Sequence, residues 1–330
     1  MKGIYEKAAT IIDERKEKRR REIDRRKREV FATSPKIQEI EENLDRFGIR
    51  MLNLIASGEC DSEKATSSII AENKAFIKER DRLLCEAGFT KDYLDIPPYC
   101  TKCEDSGFFG GKLCSCLQNE ITEIALREAN LSENLAGHTF ENFRISYYSD
   151  EYVVEYGCSP RENMQAILND CKAFVENFDK TDENLLFCGS CGLGKTFLSS
   201  AIANELIKEG RDVLYISSNA LFPILEDMHF GRQVEESAQY IVKKIGECEL
   251  LILDDLGSEF VTQFTCAELF RIINTRLNSG KKMIVSTNLN RNMLQNTYNE
   301  RIASRITGGF SMLEFLGEDI RRIKKLEGKI

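Results

Sequence analysis

The chain has 330 residues, 42% of them hydrophobic, and a formal net charge of -8. Such a length suggests two domains and a sizeable core. The acidic balance excludes a generic polyanion binder, and no apolar run approaches the ~20 residues that a membrane-spanning helix needs. The charge is uneven: residues 1–90 hold 20 Lys+Arg against 18 Asp+Glu, so the acidic excess lies beyond them. Any contact with nucleic acid must then come from a local patch. The start, Met1-Lys2-Gly3-Ile4-Tyr5-Glu6, lacks the apolar core of a signal peptide, so a cytoplasmic protein is expected. In a reducing compartment the 12 cysteines do not imply disulfides. Four of them cluster at 100–116. The other eight, mostly among apolar neighbours, read as small buried residues.

Residues 2–33 read as one long charged helix. From Glu14 to Glu29 there are ten basic residues, five acidic ones and Ile23. One reading is a solvated helix laced with i,i+4 pairs. Another is a basic face for DNA or for a partner protein, and Arg19-Arg20-Arg21 and Arg25-Arg26-Lys27-Arg28 keep it open. Ser34-Pro35 suits a helix start. Ile37, Ile40, Leu44, Phe47, Met51 and Leu54 then follow a 3-4-3-4-3 spacing, which predicts coiled-coil-like packing. Gly58 ends this run. A further helix is predicted over 62–87, with Ile69, Ile70, Phe76, Ile77, Leu83 and Leu84 as its apolar positions. The short connector favours an antiparallel helical hairpin. Residues 1–97, closed by Pro97-Pro98, thus form an α-helical module suited to protein interaction.

Cys100, Cys103, Cys114 and Cys116 follow as C-x2-C, ten residues, then C-x-C. Four thiolates at this spacing can close a tetrahedral Zn²⁺ site around a Gly-rich hairpin. With no His nearby, such a site is closed and structural, and metal supplies much of its folding free energy. A redox-active or free cysteine cluster is the alternative, because the second pair is C-x-C rather than C-x2-C. Residues 98–118 are taken as this module.

Residues 118–134 predict an amphipathic helix leading into a second domain, bounded as 119–330. Strands are expected at 184–188, 212–217, 249–254, 282–287 and 311–316. They alternate with helical stretches, which argues for a parallel sheet covered on both faces. Between the first strand and its helix runs Gly189-Ser190-Cys191-Gly192-Leu193-Gly194-Lys195-Thr196, a G-x-x-x-x-G-K-T phosphate-binding loop. Its glycines let backbone N–H groups face phosphate oxygens, and the helix N-terminus favours negative charge. Lys195 can reach the β- and γ-phosphates, and Thr196 can place a hydroxyl on Mg²⁺.

Leu250-Leu251-Ile252-Leu253-Asp254-Asp255 ends an apolar strand with two acids beside that loop. Asp254 would hold Mg²⁺, and Asp255 would position or deprotonate an attacking water. A helix cap or turn is the alternative role for the pair, since Gly257 follows. Asn288, at the tip of the next strand, can contact a γ-phosphate or that water, or simply form a turn. Arg301 and Arg305, four apart, share a helical face and either is placed to reach a neighbouring subunit's nucleotide. Both would otherwise be ordinary surface arginines. Arg321 opens the last helix and can point back at the nucleotide of its own chain.

Together, the cysteine cluster, G-x-x-x-x-G-K-T, L-L-I-L-D-D-L-G, S-T-N, E-R-I-A-S-R-I and G-E-D-I-R resemble the bacterial helicase loaders of the DnaC/DnaI type. These are a branch of the AAA+ ATPases that also holds transposition helpers of the IstB type. The resemblance covers roughly residues 98–330, and His138-Thr139-Phe140-Glu141-Asn142-Phe143 is similar to the segment that opens the ATPase domain in this family. It implies a five-stranded parallel sheet in the order 5-1-4-3-2. It implies ATP hydrolysis by Lys195, Thr196, Asp254 and Asp255, with Asn288 as first sensor and Arg321 as second. Arg305 comes before Arg301 as the arginine acting in trans. Asp255 stands where many such ATPases carry Glu, one methylene longer.

The resemblance also implies assembly with a hexameric replicative helicase and binding of single-stranded DNA by the ATPase domain; self-association of the chain is expected, and no membrane. The expected cofactors are ATP, Mg²⁺ and Zn²⁺. A transposition helper working with a transposase is one alternative. The other is an adaptor whose nucleotide site mainly stabilises structure.

Overall fold

The structure, a computed structural model, describes residues 2–56, 63–128 and 137–326. Gly58, the side chains of Met51, Leu54 and Ile69, and the end of the helix expected at 118–134 lie outside the described residues. The chain divides into two compact units, residues 12–106 and residues 1–11 with 107–330.

The three predicted helices form: α1 (Lys2–Thr33), whose residues 12–33 belong to the first unit, and α2 (Pro35–Ala56) and α3 (Glu63–Glu86), which lie within it. α2 packs against α3. The core is Val30, Ile37, Leu84 and Leu94, with Phe31, Leu83, Phe89 and Tyr93 against it. The end of α1 is therefore part of the packing. Arg26 donates to the Tyr93 carbonyl at 2.8 Å and stacks 4.9 Å from its ring, while Lys27 pairs with Glu41 at 3.0 Å. The rest of α1 carries the expected surface pairs, among them Arg21–Glu17 and Arg25–Glu29. α3 stops where the sequence predicts its end, at Gly88. This glycine takes a left-handed φ of 86°, and the Phe89 N–H returns to the Leu84 carbonyl at 2.9 Å.

The cysteine segment folds as a small hairpin, β1 (Phe108–Phe109) against β2 (Lys112–Leu113). Gly110 and Gly111 turn it with φ of 57° and 74°, a two-residue turn that only such residues adopt without strain.

In the second unit α4 (Ser115–Glu128) is followed, after a 3-10 turn at Ile145–Tyr147, by α5 (Pro160–Glu176). Ser159 and Glu162 close a capping box at the start of α5. Then strands and helices alternate: β3 (Leu185–Cys188), α6 (Lys195–Lys208), β4 (Val213–Ser217), α7 (Ser218–His229) and α8 (Glu236–Glu247). They continue with β5 (Leu250–Leu256), α9 (Gln263–Asn278), β6 (Lys282–Thr287), α10 (Arg291–Tyr298), α11 (Glu300–Gly309), β7 (Ser311–Glu314) and α12 (Ile320–Leu326).

The sheet order is β4-β5-β6-β3-β7, all pairs parallel. Numbered from β3, this is the 5-1-4-3-2 order expected. Residues 250–253 are fully buried because helices cover both faces of the sheet. Leu198, Ile202 and Leu206 of α6 pack on Phe187, Ile252 and Ile284 in the main core. Every strand points its carboxyl end to the same edge, so the loops after β3, β5 and β6 meet there.

Among the scattered cysteines, Cys171, Cys188 and Cys248 are buried as expected, and burial pushes the Cys188 thiol up to about 11. Cys85 and Cys191 are exposed instead. Leu84 takes the inward position beside Cys85, and Cys191 sits on the loop after β3. No described helix is long and apolar enough to cross a membrane.

Candidate functional site: a phosphate loop facing two acids

β3 delivers the chain to the sheet edge, and α6 leaves from it. Between them Gly189, Gly192 and Gly194 take φ of 141°, 78° and 93°. Added Cβ atoms would collide. At Gly192 one would lie 1.9 Å from Asp319 Oδ1, and at Gly194 one would lie 2.8 Å from the Tyr148 hydroxyl. The loop is thus a cradle built for bare backbone. The Tyr148 hydroxyl donates to the Leu193 carbonyl at 2.8 Å, and the Ile320 N–H to the Gly192 carbonyl at 3.0 Å, so two distant segments brace it.

Lys195 opens α6 and is only 7% exposed. Its Nζ donates to the carbonyls of Gly189 and Ser190 at 2.6 and 2.7 Å, and no carboxylate pairs with it among the described residues. Burial lowers its pKa, although Cys191, Asp255 and Asp254 act in the opposite sense. A buried ammonium held against a loop of N–H groups is a site for an anion.

Thr196 donates from Oγ1 to Asp254 Oδ2 at 2.9 Å. Asp254 is 3% exposed, and its Oδ1 accepts from the Ser286 hydroxyl on β6. Asp255 follows with φ of 55°, an uncommon left-handed conformation for a non-glycine residue at the end of a strand. Its N–H donates to Ser286 Oγ at 2.9 Å, and its carbonyl accepts from Ser218 and Ser258. A hydroxyl beside a buried carboxylate is a donor set for a hard divalent cation such as Mg²⁺.

These groups line a 560 Å³ cavity. Lys195, Thr196, Asp254, Asp255 and Arg321 all face it, with Cys191, Gly192 and Gly194 of the loop. Its other wall is His138, Phe143, Tyr147 and Phe197, with the His138 and Phe197 rings 4.5 Å apart, a surface suited to a planar base. Asn288 reaches the loop, its Nδ2 lying 3.9 Å from Cys191 Sγ. Arg301 and Arg305 do not line this cavity. Both are exposed on α11, and Arg301 borders a different groove with Cys266 and Tyr298. The brace from Tyr148, the Ser286 link and Lys324 were not singled out from the sequence.

The four cysteines meet as well. Cys100, Cys103, Cys114 and Cys116 bring one sulfur each to within 4.8 Å of one another. Asp105 is 3% exposed and accepts the N–H groups of Cys100 and Tyr99 at 2.8 and 3.2 Å. Four thiols converging on one point, with backbone fixed around them, can bind a metal.

The parallel sheet, the phosphate loop at one strand end and the acid pair at the next define a nucleotide-binding protein of the AAA+ class. Residues 154–325 match the family model of the IstB-like ATP binding proteins. The chain belongs to that family. The replicative helicase loader DnaC of Escherichia coli K12 is 25% identical over 191 residues, 58% of this chain and 71% of that protein, so it is a distant relative. A solved structure of the DnaC helicase loader aligns with a TM-score of 0.43 at 24% identity, over 54% of this chain and 98% of its own. A solved DNA replication initiation factor aligns with a TM-score of 0.44 at 26% identity, over 59% of this chain. This chain covers 54% of that structure, about half its length.

Proposed function

We propose that this protein is an ATP-driven loader that places a hexameric replicative helicase on single-stranded DNA at the start of replication. The observation that carries the nucleotide chemistry is the buried, carboxylate-free Lys195 beside the Thr196–Asp254 pair. The relation to DnaC carries the choice of partner. Residues 1–97 would grip the helicase, 98–118 would hold structural Zn²⁺, and 119–330 would bind ATP.

In this reading Lys195 turns from the loop carbonyls to the β- and γ-phosphates. The loop N–H groups hold the phosphates in place. Thr196 and Asp254 would hold Mg²⁺, which neutralises charge on the transferred phosphoryl group. Asp255 orients water for attack and accepts its proton, with Asn288 as a polar neighbour across the loop. The aromatic wall at His138, Phe143, Tyr147 and Phe197 would stack on the base. Arg321 would face the phosphates from the same chain, and Arg305 or Arg301 would reach those of a neighbouring copy. Asp is shorter than Glu, and slow hydrolysis regulated by the partner fits a loader.

The test is co-elution of the full chain with the hexameric replicative helicase of its host, with ATP and with Lys195→Ala. A complex that responds to ATP and to that substitution supports the loader. Absence of any complex under every nucleotide condition sinks it. A second reading, a transposition helper of the IstB type, draws on the family match over residues 154–325. Capture of a transposase in the same assay would favour it.

A further inference from the structure

A second cleft lies wholly within residues 12–106, remote in sequence from the phosphate loop. It measures 700 Å³. One wall is α1, presenting Lys18, Arg21, Arg25 and Arg28; the other is Ile96-Pro97-Pro98-Tyr99. The four cations are spaced 3-4-3, so they form one stripe about 15 Å long on a single helical face. Glu22 is the one carboxylate in the lining.

The inner cations of α1 have internal work. Arg26 and Lys27 serve the core, and Arg19 donates to the Ile96 carbonyl at 2.9 Å and lies 3.9 Å from Asp105, which ties the second wall to the helix. The stripe does not. Lys18 has no partner among the described residues, and Arg28 donates only to the Asp24 carbonyl. Arg21 and Arg25 pair with Glu17, Glu22 and Glu29 on the exposed surface, where such pairs contribute little and exchange easily. Across from the stripe, Tyr99 is 54% exposed, with its backbone N–H fixed by Asp105.

We infer that this cleft binds single-stranded nucleic acid, with phosphates along the Lys18–Arg28 stripe and a base stacked on Tyr99. A cationic groove that tracks the backbone, with an aromatic ring held beside it, is what sequence-independent binding of a single strand requires. A duplex is too stiff and broad to place one base on that ring. An acidic peptide would meet the charges but has no use for the exposed ring.

The experiment uses the full chain without nucleotide and a fluorescent oligothymidylate of about 20 nucleotides, read by anisotropy between about 50 and 200 mM salt. Lys18→Glu/Arg28→Glu should weaken binding at least tenfold and flatten the salt slope by about 1.4, from roughly 0.7 per lost phosphate contact on a single strand. Tyr99→Ala should weaken it by about 5- to 100-fold, and Tyr99→Phe should restore it, since stacking needs only the ring. All these side chains are at the surface, and a thermal melt checks that each variant folds.

Unchanged affinity in the charge and Tyr99→Ala variants overturns the inference. So does polyglutamate that displaces the oligonucleotide equally from wild type and Tyr99→Ala, which would identify an acidic polypeptide as the occupant. Helicase co-elution with the same variants keeps the two readings apart. The cleft can fail while the loader stands, and an oligonucleotide-binding cleft can stand with no helicase bound.

Discussion

Ser286 donates from its hydroxyl to Asp254 and accepts, on the same oxygen, the backbone N–H of Asp255 at 2.9 Å. One side chain on β6 therefore sets both acids at the end of β5. Asp254 is left with Oδ2 for Thr196, and the strained backbone of Asp255 is held from the side.

Ser286→Ala removes both bonds and leaves a buried carboxylate oxygen and a part-buried N–H unmatched. Groups that orient the ligands of a metal typically change affinity by about 10–100-fold. ATP turnover titrated with Mg²⁺ should show a loss of that size, with Ser286→Thr keeping most of the activity. Equal Mg²⁺ dependence in Ser286→Ala and wild type would show that the acids need no such support.

His138 predicts a pH effect. Its Nδ1 is buried without a hydrogen-bond partner among the described residues. Burial, and then the charge of Lys324, hold its pKa below the usual histidine value, against an opposing pull from Asp254. Above the unfolded value of about 6.5 the ring is neutral in both states and contributes nothing. As the pH falls through 6.5 the unfolded chain takes the proton first, so stability drops until the folded ring also titrates. Wild type should lose more thermal stability than His138→Gln between about pH 7.5 and 5.5. Identical losses in the two proteins would remove His138 as a cause.

Arg276 is 1% exposed and pairs with no carboxylate among the described residues. Its guanidinium donates to the carbonyls of Ile245, Cys248, Glu249 and Lys282, joining the end of α8 to the starts of β5 and β6. Burial lowers its pKa, but the bonds are made by the charged fork. Arg276→Met strands those carbonyls, and Arg276→Lys offers one ammonium for positions that need a planar fork. Urea unfolding should show a loss of about 3 kcal/mol or more for Met and only partial recovery for Lys. A loss under about 1 kcal/mol for Met would mean that water replaces the arginine.

Much of this could be read from residue order. The runs at 184–188, 250–253 and 282–287 are apolar enough to be strands buried on both faces, and the phosphate loop announces itself. The rest depends on register and on distant partners. Ser286 lies two residues before Asn288, the residue that drew attention, yet its role exists only because β5 and β6 pair with Leu253 opposite Val285. Tyr148 is an ordinary tyrosine until the fold brings it to Leu193, 45 residues on. The charges of α1 look uniformly solvated because the groups that receive Arg26 and Lys27 are far along the chain, at Tyr93 and Glu41. Arg301 and Arg305 are legible as a helical pair, but both are exposed on α11 and outside the phosphate-loop cavity.

Asp105 carries the last prediction. It follows Glu104, and the two take successive left-handed φ of 51° and 63°. That conformation is uncommon away from glycine, and here it aims the Asp105 carboxylate back at the N–H groups of Cys100 and Tyr99. The first cysteine pair is thereby shaped by the chain's own hydrogen bonds. The full chain should then carry about one zinc, and Cys114→Ser should abolish it, because a closed site needs all four thiolates. Asp105→Ala leaves every thiolate in place and should speed zinc loss to a chelator by about 10–100-fold. Asp105→Asn keeps one acceptor oxygen and should fall between. If zinc leaves Asp105→Ala at the wild-type rate, the carboxylate shapes the loop without supporting the metal. If the wild-type chain carries no zinc at all, the four converging sulfurs serve some chemistry other than a structural metal.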